Sequence, residues 1–516
     1  MKMKNFFSVI LIISLVIIFS ACSKKSDYSN LIPVDASEVA AVHLKNLVTK
    51  AGLGNKENKE AIERLTTAFK SGMNSTSFKQ FEAILKNPEE SGIDLSLPLY
   101  LFSSPEFPYM SVTAKVNDKD KLTSLLNILE KEKICTQLDK VEGYQFTEIG
   151  TQLFVAFNSS AILLINHDNT VSQEAIKQRV TKLFEQTEKN SIVSTSAFKK
   201  MQQQNEDVDL LVSPSSILGE YAQQINYGLP ENIDLKKLWI VGGLSFEEGK
   251  IKVKYENYTE DATLKKQLED QQKSIKPIQN SLLKYFPKST LALFNVGING
   301  DIFYNLIQKN KEFQSNFPIA QSSIIKSLLG ALKNDLTVGV TNITMESTPT
   351  IVVYADVDDE NVISELYKNK KSFGFKSDED IIKLDEQNYI YKSSEINFYF
   401  GIKDRKVYIT NDNILKENIG KECIPSAKNA DFASEIKGKS LAFVVNTDAI
   451  LHLPVIKMMK EYGGAEYETY YNLANKTAYL ELLCDNTQTE ITLQLKDKKE
   501  NSLKQIIDFI KEFAGI

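Results

Sequence analysis

Ser196-Ala197-Phe198-Lys199 has the S-x-x-K spacing. One helical turn there would set a lysine ammonium beside a serine hydroxyl and lower the cost of making it a nucleophile. That chemistry also wants a K-T-G strand and an (S/Y)-x-N element. The chain offers Lys476-Thr477-Ala478, without the glycine that opens such a site, and Tyr255-Glu256-Asn257 inside an alternating, strand-like run. A capped helix start explains Ser196 and Lys199 at lower cost. The run "ADVDDEN" (355–361) has carboxylates spaced as in a calcium loop. It lacks the glycine at the sixth position, and Tyr367 stands where the closing glutamate belongs. Aspartates opening a helix account for it. "VGGLSFEEG" (241–249) is followed by no helix and no Lys-Ser/Thr, so it is no phosphate loop; glycines in such a hairpin mark a bulge or a close approach of backbones.

The chain has three histidines, and His43, His167 and His452 are far apart in sequence. None stands at zinc spacing from a cysteine or carboxylate. Aligned on internal similarity, His43 falls opposite Asn295 and His167 opposite Asn411, as polar residues closing strands. No cofactor site, metal site or catalytic residue follows from these motifs. With Cys22 set aside, Cys135, Cys423 and Cys484 remain, an odd number that excludes a disulfide framework. "KICTQL" and "LELLCDN" make Cys135 and Cys484 small buried hydrophobes. A net charge of −6 with no basic block argues against nucleic-acid binding. Trp239 is the only tryptophan, so no aromatic sugar platform is advertised.

The elements behind these residues occur twice. Residues 84–126 and 331–366 each read Leu-Lys-Asn, strand, Ser-Pro or Thr-Pro turn, strand, Asn/Asp cluster and amphipathic helix. Residues 143–169 and 388–413 each give three alternating strands ending in Asp-Asn. "IPVDASEVAAVHLKNLV" (32–48) pairs with "FPKSTLALFNVGINGDI" (286–302), and 238–258 with 478–497, each a closing hairpin before a helix. Leu122, Leu125, Leu126 and Leu129 recur at helical spacing behind a capping Asn117-Asp118. Leu503, Ile506, Ile507 and Ile510 form a stripe on a C-terminal helix. "KIKVKYENY" alternates as a strand with one wet face. Short turns such as Asn158-Ser159 predict antiparallel pairing. The composition, 42% hydrophobic and 25% charged, supplies real cores. The expected fold is α+β: two tandem, structurally similar units, each a mostly antiparallel sheet with packed helices. The expected boundaries are 1–21 signal peptide, 22–30 tether, 31–277 first unit and 278–516 second unit, with the seam near Pro277.

The start of the chain is an address. Lys2 and Lys4 precede an uncharged run, residues 6–21. As a helix it would span about 24 Å, short of the ~30 Å hydrocarbon core. Phe19-Ser20-Ala21-Cys22 resembles the bacterial lipobox, with Phe where Leu is usual. That resemblance implies cleavage before Cys22, acylation of Cys22, and anchoring by more than one chain. Loss of Lys2 and Lys4 makes the mature chain two charges more negative than −6. "ACSKKSDYSNLIPVDASEVAAVHL" and the overall layout resemble a Bacteroidetes family of roughly 500-residue envelope lipoproteins of unknown function. The resemblance implies an envelope location and brings no catalytic residues. Ser23-Lys24-Lys25-Ser26-Asp27 lacks the acidic cluster of surface-exported lipoproteins, and its lysines suit anionic head groups. The expectation is an outer-membrane lipoprotein facing the periplasm, held to the membrane by its acylated N-terminus. Its role is then that of a non-enzymatic binding or structural module for an unknown envelope protein or polymer. The alternative is an envelope-polymer hydrolase with a carboxylate-based site, which would need two convergent carboxylates in a deep pocket, one with a raised pKa.

Overall fold

The computed structural model describes residues 27–53, 63, 66, 67, 70, 73–168, 170–218, 234–309, 323–344, 348–373, 375–485 and 487–514. Residues 1–21, Cys22 and most of the tether lie outside that set. The described residues fall into two compact units, one within Met1–Gly219, Leu238–Tyr258 and Lys499–Ile516, the other within Glu220–Lys237 and Thr259–Lys498.

The first unit contains β1 (Glu38–Val42), β2 (Leu99–Ser104), β3 (Phe107–Lys115), β4 (Asp139–Val141), β5 (Tyr144–Ile149), β6 (Leu153–Phe157), β7 (Ala161–Asn166), β8 (Val208–Val212), β9 (Trp239–Glu247) and β10 (Lys250–Tyr258). Their order across the sheet is β4-β5-β6-β7-β3-β2-β1-β8-β9-β10, with every pairing antiparallel. Hairpins dominate, as the short turns predict; Asn158 Oδ1 accepts the Ser160 and Ala161 N–H groups in the β6–β7 turn. One sheet face buries Val39, Ala41, Tyr100, Leu163 and Leu211 under Ile32, Ile192 and Phe198. Part of the other face packs on the helix Lys119–Lys131, whose Leu122, Leu125, Leu126 and Leu129 are all buried. Asp118 caps it by accepting from Asp120 N and Lys121 N.

The second unit contains β11 (Ile275–Lys276), β12 (Ala292–Ile298), β13 (Leu332–Asn342), β14 (Thr350–Val357), β15 (Asp380–Lys383), β16 (Asn388–Lys392), β17 (Asn397–Lys403), β18 (Lys406–Thr410), β19 (Leu441–Val445), β20 (Thr477–Cys484) and β21 (Gln488–Leu495). The order is β15-β16-β17-β18-β14-β13-β12-β19-β20-β21, again antiparallel, and the two-residue β11 also pairs with β12. Strand for strand this is the first unit's order. The fold is α+β, built as two tandem units of the same topology. Matching backbone contacts fix which residues correspond. Pro33 bridges Ser191 as Pro287 bridges Ser426. Ser37 N donates to Ser103 O as Leu291 N does to Val340 O, and His43 N donates to Asp207 O as Gly297 N does to Ser440 O.

Three details depart from the sequence reading. His43 corresponds to Gly297, and Asn295 to Ala41, in step with the pairing of 32–48 and 286–302 but two residues from the match of His43 to Asn295. Tyr28, placed in the tether, is 3% exposed, meets Tyr100 in a tilted contact with ring centroids 5.5 Å apart and donates to Pro98 O, so this end of the tether is part of the first core. The segment Lys499–Ile516, assigned to the second unit, belongs to the first. There Glu500 O accepts from Gly249 N, Asn501 Nδ2 donates to Phe246 O and Ser502 Oγ donates to Lys250 O, which clasps the β9–β10 hairpin. Leu503, Ile506 and Ile507 are half-buried while Ile510 is 52% exposed, so the stripe is covered only at its start. β10 has no cleanly wet face: all but one of its residues are half-buried.

Candidate functional site

The second unit opens a groove of about 930 Å³. Its parts come from segments far apart in sequence. The corner Pro287–Ser289 leads into β12, and Cys423–Pro425, with a cis Ile424–Pro425 bond, forms one wall. Ala430–Phe432 and β20 supply the floor, where the Phe432 ring meets Tyr479 edge-on with centroids 5.6 Å apart. The helix Thr447–Leu451 brings Asp448 and Ala449, with His452 at its C-cap; Asn446 caps its start by accepting from Ala449 N. Lys496 and Lys498 follow β21.

Charge rings an apolar floor. Lys496 Nζ lies 2.7 Å from Asp448 Oδ1 and also donates to Asn475 Oδ1, and Lys498 pairs with Asp431. The hydrogen bond and charge of Lys498 hold the Asp431 carboxyl below the usual carboxylate range. His452 Nδ1 faces the Asp448 carbonyl at 2.6 Å, so that nitrogen carries the proton and Nε2 is left to accept when the ring is neutral. Burial pushes the Tyr479 phenol well above its ordinary value, which keeps it a neutral hydroxyl. Burial also raises the Cys423 thiol, leaving it a poor nucleophile. The groove can hold a ligand; neither aspartate in it is an uncommitted acid.

The sequence-flagged residues are not brought together. Ser196 opens the helix Ser196–Met201, but Thr195 is the cap, accepting from Phe198 N, and Lys199 Nζ points to Ser194 O at 3.5 Å. Thr477 Oγ1 is spent on Ala474 O, and Tyr255 sits in β10 opposite Gly242. The "ADVDDEN" run leads into the helix Val362–Lys368, with Asp359 accepting from Asn361 N. Among the described residues no group of three or more His, Cys, Asp or Glu could hold a metal ion.

One constellation went unseen in the sequence. Asp207 and Asp209 alternate inside "EDVDLLV" and point to the same side. Asp209 Oδ2 lies 2.8 Å from His43 Nε2, and its Oδ1 accepts from Glu206 N. Asp207 Oδ2 meets Lys50 Nζ at 2.6 Å and Phe246 N at 2.7 Å. A His–Asp pair invites comparison with a relay. Among the described residues no hydroxyl or thiol hydrogen-bonds the His43 ring; the two aspartates clasp the chain after β1 to β8 and β9.

One carboxyl is raised. Asp335, on β13 beneath the chain around Gln279–Ser281, is desolvated, and the Gln279 and Ser281 N–H groups that bond it only partly offset this. It lies on no cavity described here. A carboxyl raised on folding stabilises the fold at low pH, and that contribution falls away as pH climbs from the unfolded value, about 4, through the folded one. Asp335→Asn should therefore flatten the decline of the second unit's stability as pH rises above about 4. Melting followed by near-ultraviolet circular dichroism over that range tests it; an unchanged slope contradicts it.

A family profile described as a domain of unknown function, DUF4836, matches residues 28–503. No curated protein matches the chain. Among solved structures, crystal form IV of TP0453 aligns at a TM-score of 0.26 with 11% identity over 45% of this chain and 81% of that one. Crystal form I aligns at 0.25 with 10% identity over 46% and 81%. Among the described residues no helix is long and apolar enough to cross a membrane.

Proposed function

The chain belongs to that family, and we propose that it is a lipid-anchored envelope protein, of the kind found in Bacteroidetes, that works as a non-enzymatic binding module through the groove of its second unit. The observation that carries this reading is the groove's chemistry. It is large enough for a ligand, apolar at the floor and charged at the rim, and each of its aspartates is neutralised by a lysine. A polymer hydrolase needs one carboxyl kept protonated near neutral pH beside an ionised partner. Lys498 pulls Asp431 the other way. The shared strand order is consistent with origin by internal duplication, which left one fold free to hold the scaffold while the other acquired the groove.

The anchor is Cys22, in an outer-membrane lipoprotein facing the periplasm. Cys22→Ser should abolish membrane retention or leave unprocessed precursor, since two or more acyl chains supply stable anchoring and none would remain. Mass spectrometry of the native protein should find an acylated Cys22 as the first residue; an unlipidated mature chain starting elsewhere refutes the anchor. Proteinase added to intact cells should spare the chain until the outer membrane is opened, and rapid digestion would reverse the orientation.

A further inference from the structure

We propose that the groove of the second unit seats an extended acidic segment of a partner protein, one large apolar side chain resting on Phe432 and Tyr479 while flanking carboxylates meet Lys288, Lys496 and Lys498. The proposal rests on the binding-module reading and names the class of partner.

Charge comes first. The rim carries three lysines and two aspartates, a positive balance on a chain whose net charge is −6. Both aspartates already hold a lysine, and among the described residues the exposed Lys288 ammonium makes no ion pair, its charge reaching Asp431 only at longer range. Among the described residues an incoming carboxylate finds one lysine without a close partner, Lys288, and two more that it can share. Ion pairs at such a rim steer encounter and select the sign of the partner.

The second observation comes from the other unit. By the backbone contacts that align the two sheets, Lys288 corresponds to Val34, Asp431 to Ser196, Asp448 to Ser215 and Tyr479 to Trp239. The shared fold stands without these charges. Their presence in one unit alone separates them from what the topology needs.

The third is the shape and lining. About 930 Å³ is at the upper end for small-ligand pockets, roughly 300–1,000 Å³, and accommodates several residues of extended chain. Ile424 is 95% exposed on the wall beside Pro425, a large aliphatic surface with nothing laid against it. An acyl lipid would want one cation and a wholly apolar sleeve. Here carboxylates and lysines punctuate the lining, which suits the alternation of polar and apolar groups along a peptide.

The test uses the full-length mature chain and a fluorescein-labelled pentapeptide alternating glutamate and leucine, read by anisotropy. Saturable binding is expected. It should weaken about tenfold or more with Lys288→Glu, with lysine replacing the peptide's glutamates, and with serine replacing its leucines. Equal binding of the lysine peptide, indifference to Lys288→Glu, or no saturable binding by the folded chain overturns the proposal. So does displacement of the peptide by oleate at lower concentration than by unlabelled peptide, which would assign the groove to an anionic lipid. A photo-crosslinker at Ser289 in living cells separates the two levels. Capture of an envelope protein without an acidic stretch sinks the partner class alone, and capture of nothing sinks the binding-module reading as well.

Discussion

Replacing Lys50 by methionine is expected to lower the stability of the first unit by about 3 kcal/mol. Asp207 is 1% exposed and Asp209 2% exposed, two residues apart on one side of the chain. Two carboxylates taken from water at that spacing repel each other and are each desolvated. The fold answers with one side-chain partner apiece, the Lys50 ammonium at 2.6 Å from Asp207 and the His43 ring at 2.8 Å from Asp209, and with one backbone N–H apiece from Phe246 and Glu206. Methionine keeps the length and apolar stem of lysine and removes only the charge. It leaves Asp207 ionised, buried and held by a single N–H, and breaking a buried pair from one side costs about 3–5 kcal/mol. The lower end applies because Lys50 itself is partly exposed and gives back some hydration. Asp207→Asn added to Lys50→Met should recover part of the loss, since the unpaired charge is then gone. Trp239, the only tryptophan, opens β9 within the first unit, so its fluorescence in a urea titration reports the right transition. A Lys50→Met midpoint equal to wild type would mean that Asp207 is not charged in the folded chain.

That cluster also marks where the sequence stops being readable. Leu122, Leu125, Leu126, Leu129 and the Asp118 cap are local features, set within a dozen residues, and they stand as the periodicity predicts. The antiparallel hairpins of both units follow from the repeated alternation and the short turns, while the pairings of β1 with β8 and β3 with β7 join distant segments. The gap-free pairing of 32–48 with 286–302 already sets His43 opposite Gly297, and placing it opposite Asn295 is a slip of two that keeps the same strand face inward, since side chains in a strand repeat every two residues. Backbone contacts such as His43 N to Asp207 O agree with the gap-free register. His43 and Asp209 are 166 residues apart, and the groove draws on six separated stretches, from Pro287 to Lys498. No local spacing encodes such a meeting. Tyr28 misleads differently, because one aromatic residue in a polar run has no period and its burial depends on Tyr100, which lies on β2.

Gly242→Ala should cost the first unit about 3 kcal/mol, and Gly243→Ala clearly less. The reason is space and not backbone conformation. Gly242 pairs with Tyr255 across the β9–β10 ladder, and a Cβ placed on it would lie 2.0 Å from Lys254 O and 2.7 Å from Tyr255 Cα. Those are backbone atoms of a hydrogen-bonded neighbour, so relief requires β10 to move, and with it the clasp made by Asn501 and Ser502 on the same hairpin. At Gly243 the nearest atoms belong to the Glu206 side chain at 2.7 Å, with the Val208 carbonyl next at 2.9 Å. A side chain yields more readily than a strand. The topology itself does not demand glycine at either place: the equivalent positions of β20 are Leu482 and Leu483. The close approach is therefore a property of this hairpin. Trp239 fluorescence again supplies the readout, being in the same strand. A phosphate-cradling role for "VGGLSFEEG" would leave stability untouched by alanine and cost only ligand affinity. Equal destabilisation by the two substitutions, or none by Gly242→Ala, would show that β10 does not crowd β9 at Gly242.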